Sequence, residues 1–445
     1  MKNAGNLHGV YRSDQMICKH EIGGNHTMQA QQVLHKLLNA TCSIMHQARR
    51  RSLEVNVVAA LSGTRLTVTD LGRSINSLAK QKHCIKRADR LLSNTHIQAE
   101  RETVYAELTR LLIGRRTRPI IIVDWSDMDA CKRHFLLRAS LAVDGRSFTV
   151  YEEVHTVKSK EKPHSHLNFL KTLKSMLAVD CLPIIVSDAG FRVPWFKLVE
   201  SFGWDWIGRV RNRTFVRLGG DETWFPCKNL YKNATTTAQV LGSACQARSN
   251  PFACQLVLYK AKPKGRIHKN RLGQKAMNSH SRKHAVAAKE PWLLATSLTP
   301  CFKFAKKIVG LYALRMQIEE SFRDLKSTRF GLSLELHLTY QVERLQVLLL
   351  IAALALMVAW LMGKATELTG QHWQYQANTT RKRKVLSTIF IGLKMIDDRR
   401  TALTAHDLIA AWKALHDIIQ SNCVFPALDM VACNKKSDLK CDELS

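Results

Sequence analysis

The sequence predicts an α/β protein, a sheet covered by helices, with helical segments before and after it. Three observations lead there. Between residues 118 and 214, short apolar runs alternate with helical stretches, as strands and their covering helices do. Residues 29–115 read as mostly helical, and from about residue 306 the texture is helical again. A length of 445 residues makes roughly three domains the starting expectation, and an apolar content of 46% can supply a large core.

Residues 1–28 read as a disordered leader. They are polar, contain Gly and His, and lack the apolar stretch of a secretory signal. Translation starts at Met1 or at Met28, which opens the first periodic segment, MQAQQVLHKLLN. Within residues 29–115, LTVTDLGRSI has Thr67 or Thr69 as its N-cap. A polar break, NSLAKQ, leads to KHCIKRADRLLSN. On a helical wheel Lys82, His83, Lys86, Arg87 and Arg90 spread over one side, and Cys84, Ile85, Ala88, Leu91 and Leu92 fill the other. Two short helices, the second basic, resemble a helix-turn-helix DNA reader. The alternative is a solvated basic face on an ordinary bundle.

From 118 the pattern changes. RPIIIVDW is an apolar β run ending at a carboxylate; HFLLRASLAV and SFTVYEEVHTV follow as antiparallel strands across the turn Asp144-Gly145. The helical HLNFLKTLKSMLAV leads to LPIIVSDAG, a second buried strand ending at a carboxylate, then to the helix FRVPWFKLVESFG and the strand WDWIGRVRN. Residues 215–298 interrupt the alternation with strand-like pieces (ACQLVLYK, PWLLATSL) and a basic loop. No acid occurs between Glu222 and Glu290, and there are nine Lys or Arg from Lys260 to Lys283 inclusive, so this loop is read as a phosphate contact rather than mere disorder. Next comes KIVGLYALRMQIEESFRDLKS, read as one helix, then the apolar run Val347–Gly363, the basic NTTRKRK, the amphipathic helix HDLIAAWKALHDIIQSN and a polar tail expected to be disordered. The apolar run is about the shortest that can span a bilayer. With no second span, it is read as a helix buried on all sides of a large domain.

Charge narrows the partner. The chain has 67 Lys+Arg against 36 Asp+Glu, a net charge of +31. A compact body with that excess repels itself unless a polyanion neutralises it, and nucleic acid is the first choice over an anionic membrane surface. The twelve cysteines stand singly, with no C-x-x-C pair. That implies reduced thiols in a cytoplasmic protein, not a zinc site or a disulfide framework.

Asp124 and Asp188 each follow an apolar strand, and the ends of two buried strands in one sheet can set two carboxylates side by side. A third acid comes from a helix. Tyr312, Arg315, Glu319 and Lys326 fall at 0, 3, 7 and 14, within roughly 60° of one another at about 100° per residue. One face then offers an aromatic hydroxyl, a guanidinium, a carboxylate and an ammonium. Arg and Lys clamp phosphate oxygens, and carboxylates are the hard ligands that Mg²⁺ requires. Glu320 points about 100° away.

The spacing Y-x-x-R-x-x-x-E-x-x-x-x-x-x-K is similar to the signature of the insertion-sequence-four family of bacterial cut-and-paste DDE transposases. IVDWSD and IVSDAGFRVPW look like that family's two acidic boxes, and KEPWLLAT and QANT add to the resemblance, which runs from about residue 29 to 420. It implies a ribonuclease-H-like catalytic core with a β-rich insertion, an N-terminal helical DNA-binding domain and a C-terminal helical region. The expected divisions are a leader at 1–28, the DNA-binding domain at 29–115, the core at 116–214 and 299–365, the insertion at 215–298, and at 366–445 a helical region suited to dimerisation. It further implies that Asp124, Asp188 and Glu319 are catalytic and hold two Mg²⁺ ions, with Mn²⁺ as a substitute. Tyr312, Arg315 and Lys326 become contacts to phosphates near the transposon end, Trp292 a platform for a flipped base, and Arg209 a contact to the DNA end. Lys82, Lys86, Arg87 and Arg90 are read as a DNA-binding face from the helix-turn-helix likeness of their helix and the net charge, not from this resemblance. The partners implied are double-stranded DNA with terminal inverted repeats, target DNA and a second copy of the chain, with no membrane. Two other readings are weighed: a structure-specific nuclease of the same fold, and a non-catalytic DNA-binding relic.

Overall fold

The computed structural model describes residues 29–63, 65–211, 213–262, 274, 279, 290–398, 400 and 402–425. The expected leader, most of the basic loop and the C-terminal tail lie outside them.

Five helices come first: α1 (Ala30–Thr41), α2 (Gln47–Ser62), α3 (Val68–Ser74), α4 (Gln81–Leu92) and α5 (Thr95–Ile113). Thr67 caps α3, its hydroxyl accepting from the Asp70 amide at 3.0 Å. Helix α4 divides as its wheel predicts. Cys84, Ala88, Leu91 and Leu92 are buried, whereas Lys82, Lys86, Arg87 and Arg90 are exposed. The two helices cross at Gly72, where an added Cβ would lie 2.3 Å from Cα of Ile85. Only glycine admits that approach. Arg344 donates to Asp89 Oδ1 at 2.7 Å and ties α4 to the helix that carries the apolar run.

The sheet has ten strands: β1 (Ile120–Asp127), β2 (His134–Ala142), β3 (Ser147–Thr156), β4 (Ile184–Ser187), β5 (Asp205–Val210), β6 (Phe215–Leu218), β7 (Phe225–Pro226), β8 (Gln239–Gln246), β9 (Phe252–Tyr259) and β10 (Trp292–Thr296). Their order is β3-β2-β1-β4-β5-β10-β9-β8-β6-β7. The first three form an antiparallel meander turned at Gly145, whose φ of 67° suits glycine. Strands β1, β4 and β5 are parallel, joined through α6 (Pro163–Met176) and α7 (Val193–Ser201). This mixed α/β arrangement is consistent with a ribonuclease-H-like core. The strands from 215 onward do not form a separate sheet. Strand β10 pairs antiparallel with β5, and β9 and β8 continue outward from it. Strand β8 escapes the sequence pattern because Gly242 and the small residues around it dilute the apolar alternation.

The segment expected to be one helix is two, α8 (Phe304–Ala313) and α9 (Met316–Lys326). Between them Leu314 and Arg315 keep helical dihedrals, but their amides bond three residues back, to Leu311 and Tyr312, each at 3.1 Å. This tight 3₁₀ link eclipses residues three apart, so Tyr312 and Arg315 stay on one side despite the break.

The apolar run becomes α10 (Val342–Leu368), long and apolar enough to cross a membrane; its most apolar window has mean hydropathy 2.6 and is 89% buried inside the protein. It runs through the core against α2, β3 and two helices beyond it, α11 (Thr388–Asp397) and α12 (Ala405–Asn422). Each fully buried leucine along it contributes on the order of 1.5–3 kcal/mol. Helix α11 crosses α10 so closely that a Cβ on Gly392 would lie 1.7 Å from the Ala359 carbonyl oxygen. The described cysteines are all free thiols.

Candidate active site

Strands β1 and β4 run in parallel to the register pair Val123–Ser187. The next residue on each is an aspartate, so the backbone ladder delivers Asp124 and Asp188 together. Asp124 is buried; its own Oδ1 accepts from the Trp125 amide at 2.8 Å. Asp188 Oδ1 accepts from the Gly190 amide at 2.7 Å, and a Cβ on Gly190 would crowd that oxygen at 2.9 Å. Burial, then the charges of Asp188 and Glu319, push the Asp124 carboxyl up to about 8, against the pull of Arg315. Asp124 thus stands among like charges that a bound cation would offset.

Glu319 reaches this place because the opposite face of α9 is fastened down. Gln317 accepts from the Val143 amide at 2.7 Å, Ser321 Oγ from the Ser147 amide at 2.8 Å, and Asp324 pairs with Arg146. The spacing 317, 321, 324 is one helical stripe bound to the β2–β3 turn. The stripe of Arg315, Glu319 and Lys326 is thereby turned towards β1. Arg315 Nη1 lies 2.6 Å from Glu319 Oε1 and 3.5 Å from Asp124 Oδ2. Its buried Nε has no hydrogen-bond partner among the described residues. Lys326 donates to Ser126 Oγ at 2.7 Å, and burial draws its ammonium below the usual lysine range. Ser126 was not foreseen. Strand periodicity could have found it, since residues 124 and 126 share a face of β1.

Tyr312 is buried, with its phenol shifted up by burial, in the company of Arg315, Arg209 and Asp188. Trp292, at the start of β10, meets it edge-on at 5.1 Å and Tyr259 at 5.8 Å. Trp292 is only partly buried, so part of its ring stays accessible beside the site. Arg209 is engaged inside the protein. It donates to the carbonyls of Glu290 and Pro291 at 3.3 and 3.1 Å, and it and Arg211 both pair with the Glu290 carboxylate. Lys82, Lys86, Arg87 and Arg90 lie on α4, outside this cluster. Glu320 turns away, to Arg323 at 2.7 Å and Arg146 at 3.8 Å, and Asp127 pairs with Lys132 at 3.3 Å.

Among the described residues no three metal-ligating side chains form a ready-made cage, because Glu319 is turned onto Arg315. The donor chemistry nevertheless fits hard divalent ions: oxygen ligands only, one of them strongly disfavouring its own charge. Glu319 is partly exposed. An acid cluster flanked by a guanidinium and an ammonium suits in-line displacement at phosphorus. A search of curated proteins gives no match. A family model described as the transposase DDE domain matches residues 115–357, more than half of the 445-residue chain. The matched span holds both strand-end aspartates and the helix of Glu319, and the chain belongs to the transposase DDE domain family.

Proposed function

We propose that the protein is a cut-and-paste transposase of the insertion-sequence-four type, acting on DNA in the bacterial cytoplasm. The observation that carries this reading is the convergence of Asp124, Asp188 and Glu319 with Arg315 between them. These carboxylates would hold two Mg²⁺ ions, which supply charge neutralisation at phosphorus and an activated oxygen nucleophile. Tyr312, Arg315 and Lys326 orient phosphates near the transposon end. Arg209, which also donates to the carbonyls of Glu290 and Pro291 just before Trp292, contacts the DNA end. The helices α3 and α4 bind the terminal inverted repeats, and two chains pair two ends.

The chemistry is a series of displacements in one site. Water attacks phosphorus and the 3′-oxygen leaves as a hydroxyl. That hydroxyl attacks the opposite strand and closes a hairpin on the transposon end, with the base displaced from the stack resting on Trp292. A second water opens the hairpin, and the 3′-hydroxyl then attacks target DNA. The test is a time course on a labelled inverted-repeat end with Mg²⁺. Nicked, then hairpin, then blunt products support the reading. Nicks without hairpins return the chain to a nuclease of the same fold, and no cleavage makes it a DNA-binding relic.

A further inference from the structure

The β1–β4 ladder stops at Val123–Ser187, one residue short of the two aspartates. Beyond that point, side chains take over. Trp125, next to Asp124, donates its Nε1–H to His166 Nε2 on α6 at 3.3 Å. The His166 ring meets the Trp195 ring of α7 edge-on at 5.0 Å and the Phe191 ring at 5.7 Å. Trp195 then donates its Nε1–H to Ser187 Oγ, next to Asp188, at 3.0 Å. The chain Trp125–His166–Trp195–Ser187 therefore leaves the backbone beside one aspartate and returns beside the other.

An indole N–H only donates. His166 Nε2 must consequently present its lone pair, with the ring neutral and its proton on Nδ1. Burial favours that form. The His166 ring packs against Trp125 on one side and against Phe191 and Trp195 on the other, with Phe191 and Trp195 themselves at 4.7 Å, and such packing resists the splaying of two strand ends.

We propose that His166 is a positioning residue that sets the separation of Asp124 and Asp188, through Trp125 on one side and Trp195 and Ser187 on the other. It rests on the reading of the two aspartates as metal ligands. Two oxygen donors on separate strands bind an ion well only when their spacing is fixed beforehand, and outer partners of metal ligands contribute in this way.

The experiment is calorimetric titration of the full-length protein with Mn²⁺, DNA absent, beside circular dichroism and DNA-end binding. His166→Phe keeps a ring and loses the acceptor. Trp195→Phe keeps a ring and loses the donor to Ser187. Each is expected to weaken Mn²⁺ binding about tenfold, the lower end of the 10–100-fold range for such partners, with dichroism and end binding unchanged. His166→Gln, whose amide oxygen can accept the Trp125 N–H, should restore most of the affinity. Wild-type Mn²⁺ affinity in folded His166→Phe and Trp195→Phe would overturn the proposal, as would failure of His166→Gln to exceed His166→Phe. If His166→Phe does not fold, Trp195→Phe decides. Asp124→Ala serves as the separate control: wild-type Mn²⁺ binding there would instead remove the aspartates as ligands.

Discussion

The guanidinium of Arg315 stands between Glu319, at 2.6 Å, and Asp124, at 3.5 Å. Its charge offsets the repulsion among the carboxylates, and a divalent cation would compete with it for the same oxygens. A DNA phosphate would draw the same guanidinium away, so end binding and metal binding should assist each other. Arg315→Gln should therefore bind Mn²⁺ more tightly than wild type without DNA, by about tenfold. That is ~1.4 kcal/mol, well inside the ~4 kcal/mol of a charge pair at 4 Å and an effective dielectric of 20. It should also lose affinity for transposon ends. Equal Mn²⁺ affinity in the two proteins would mean that Arg315 does not compete.

Asp124 predicts a pH dependence. Its carboxyl is raised from 3.8 to about 8 in the folded protein by burial and by its acidic neighbours. Between those values the folded state holds a proton that the unfolded state has released, so stability falls as pH rises. Denaturant unfolding with chelator present should show the protein more stable at pH 5.5 than at pH 8.5. Asp124→Asn should flatten that slope. Mg²⁺ should stabilise more at the higher pH, where no proton competes. A wild-type stability that does not fall from pH 5.5 to 8.5, or an Asp124→Asn protein whose stability falls in step with it, would contradict the assignment.

Under the proposed function, the close crossing of α3 and α4 at Gly72 serves DNA recognition and not the chemistry. Gly72→Val would push a side chain into the backbone of Ile85 and should abolish binding to inverted-repeat ends, leaving the sheet intact by circular dichroism. Replacing Lys82, Lys86, Arg87 and Arg90 by Ala is gentler. Each phosphate that these side chains no longer neutralise should reduce the slope of log affinity against log salt by about 0.9. An unchanged slope would make this face an ordinary solvated one.

Much of the site was legible in the sequence because strands and helices impose fixed periods. Apolar runs ending at Asp124 and Asp188 needed only the parallel ladder to bring them together. The 0, 3, 7 spacing on α8 and α9 survived a break in the helix, because the 3₁₀ link still aligns residues three apart. Tertiary partners were not legible. Arg209 reads as a free cation until Glu290, 81 residues away, folds back against it. The aromatic bridge through His166 joins residues from four separate elements, and no local period marks it. Helix α11, rich in β-branched residues, is covered only by the general reading of 366–445 as helical, and its close docking on α10 at Gly392 has no local signal.

Trp292 borders the site without touching the carboxylates. Trp292→Ala should leave the first nick near normal and slow hairpin closure. Loss of a stacking platform costs about 1–3 kcal/mol per base, which is roughly 5- to 150-fold in that step. Product-resolved time courses distinguish this from equal slowing of every step, which would reduce Trp292 to a packing partner of Tyr312 and Tyr259.

The most direct measurement is single-strand nicking of a labelled inverted-repeat end by the carboxylate variants, each first shown to bind that end. Asp124→Ala, Asp188→Ala and Glu319→Ala should each abolish nicking with end affinity retained, whereas Asp127→Ala and Glu320→Ala, whose carboxylates face Lys132 and Arg323, should nick at near wild-type rates. Robust nicking by Glu319→Ala, or its loss in Glu320→Ala with Glu319 intact, would contradict the site described.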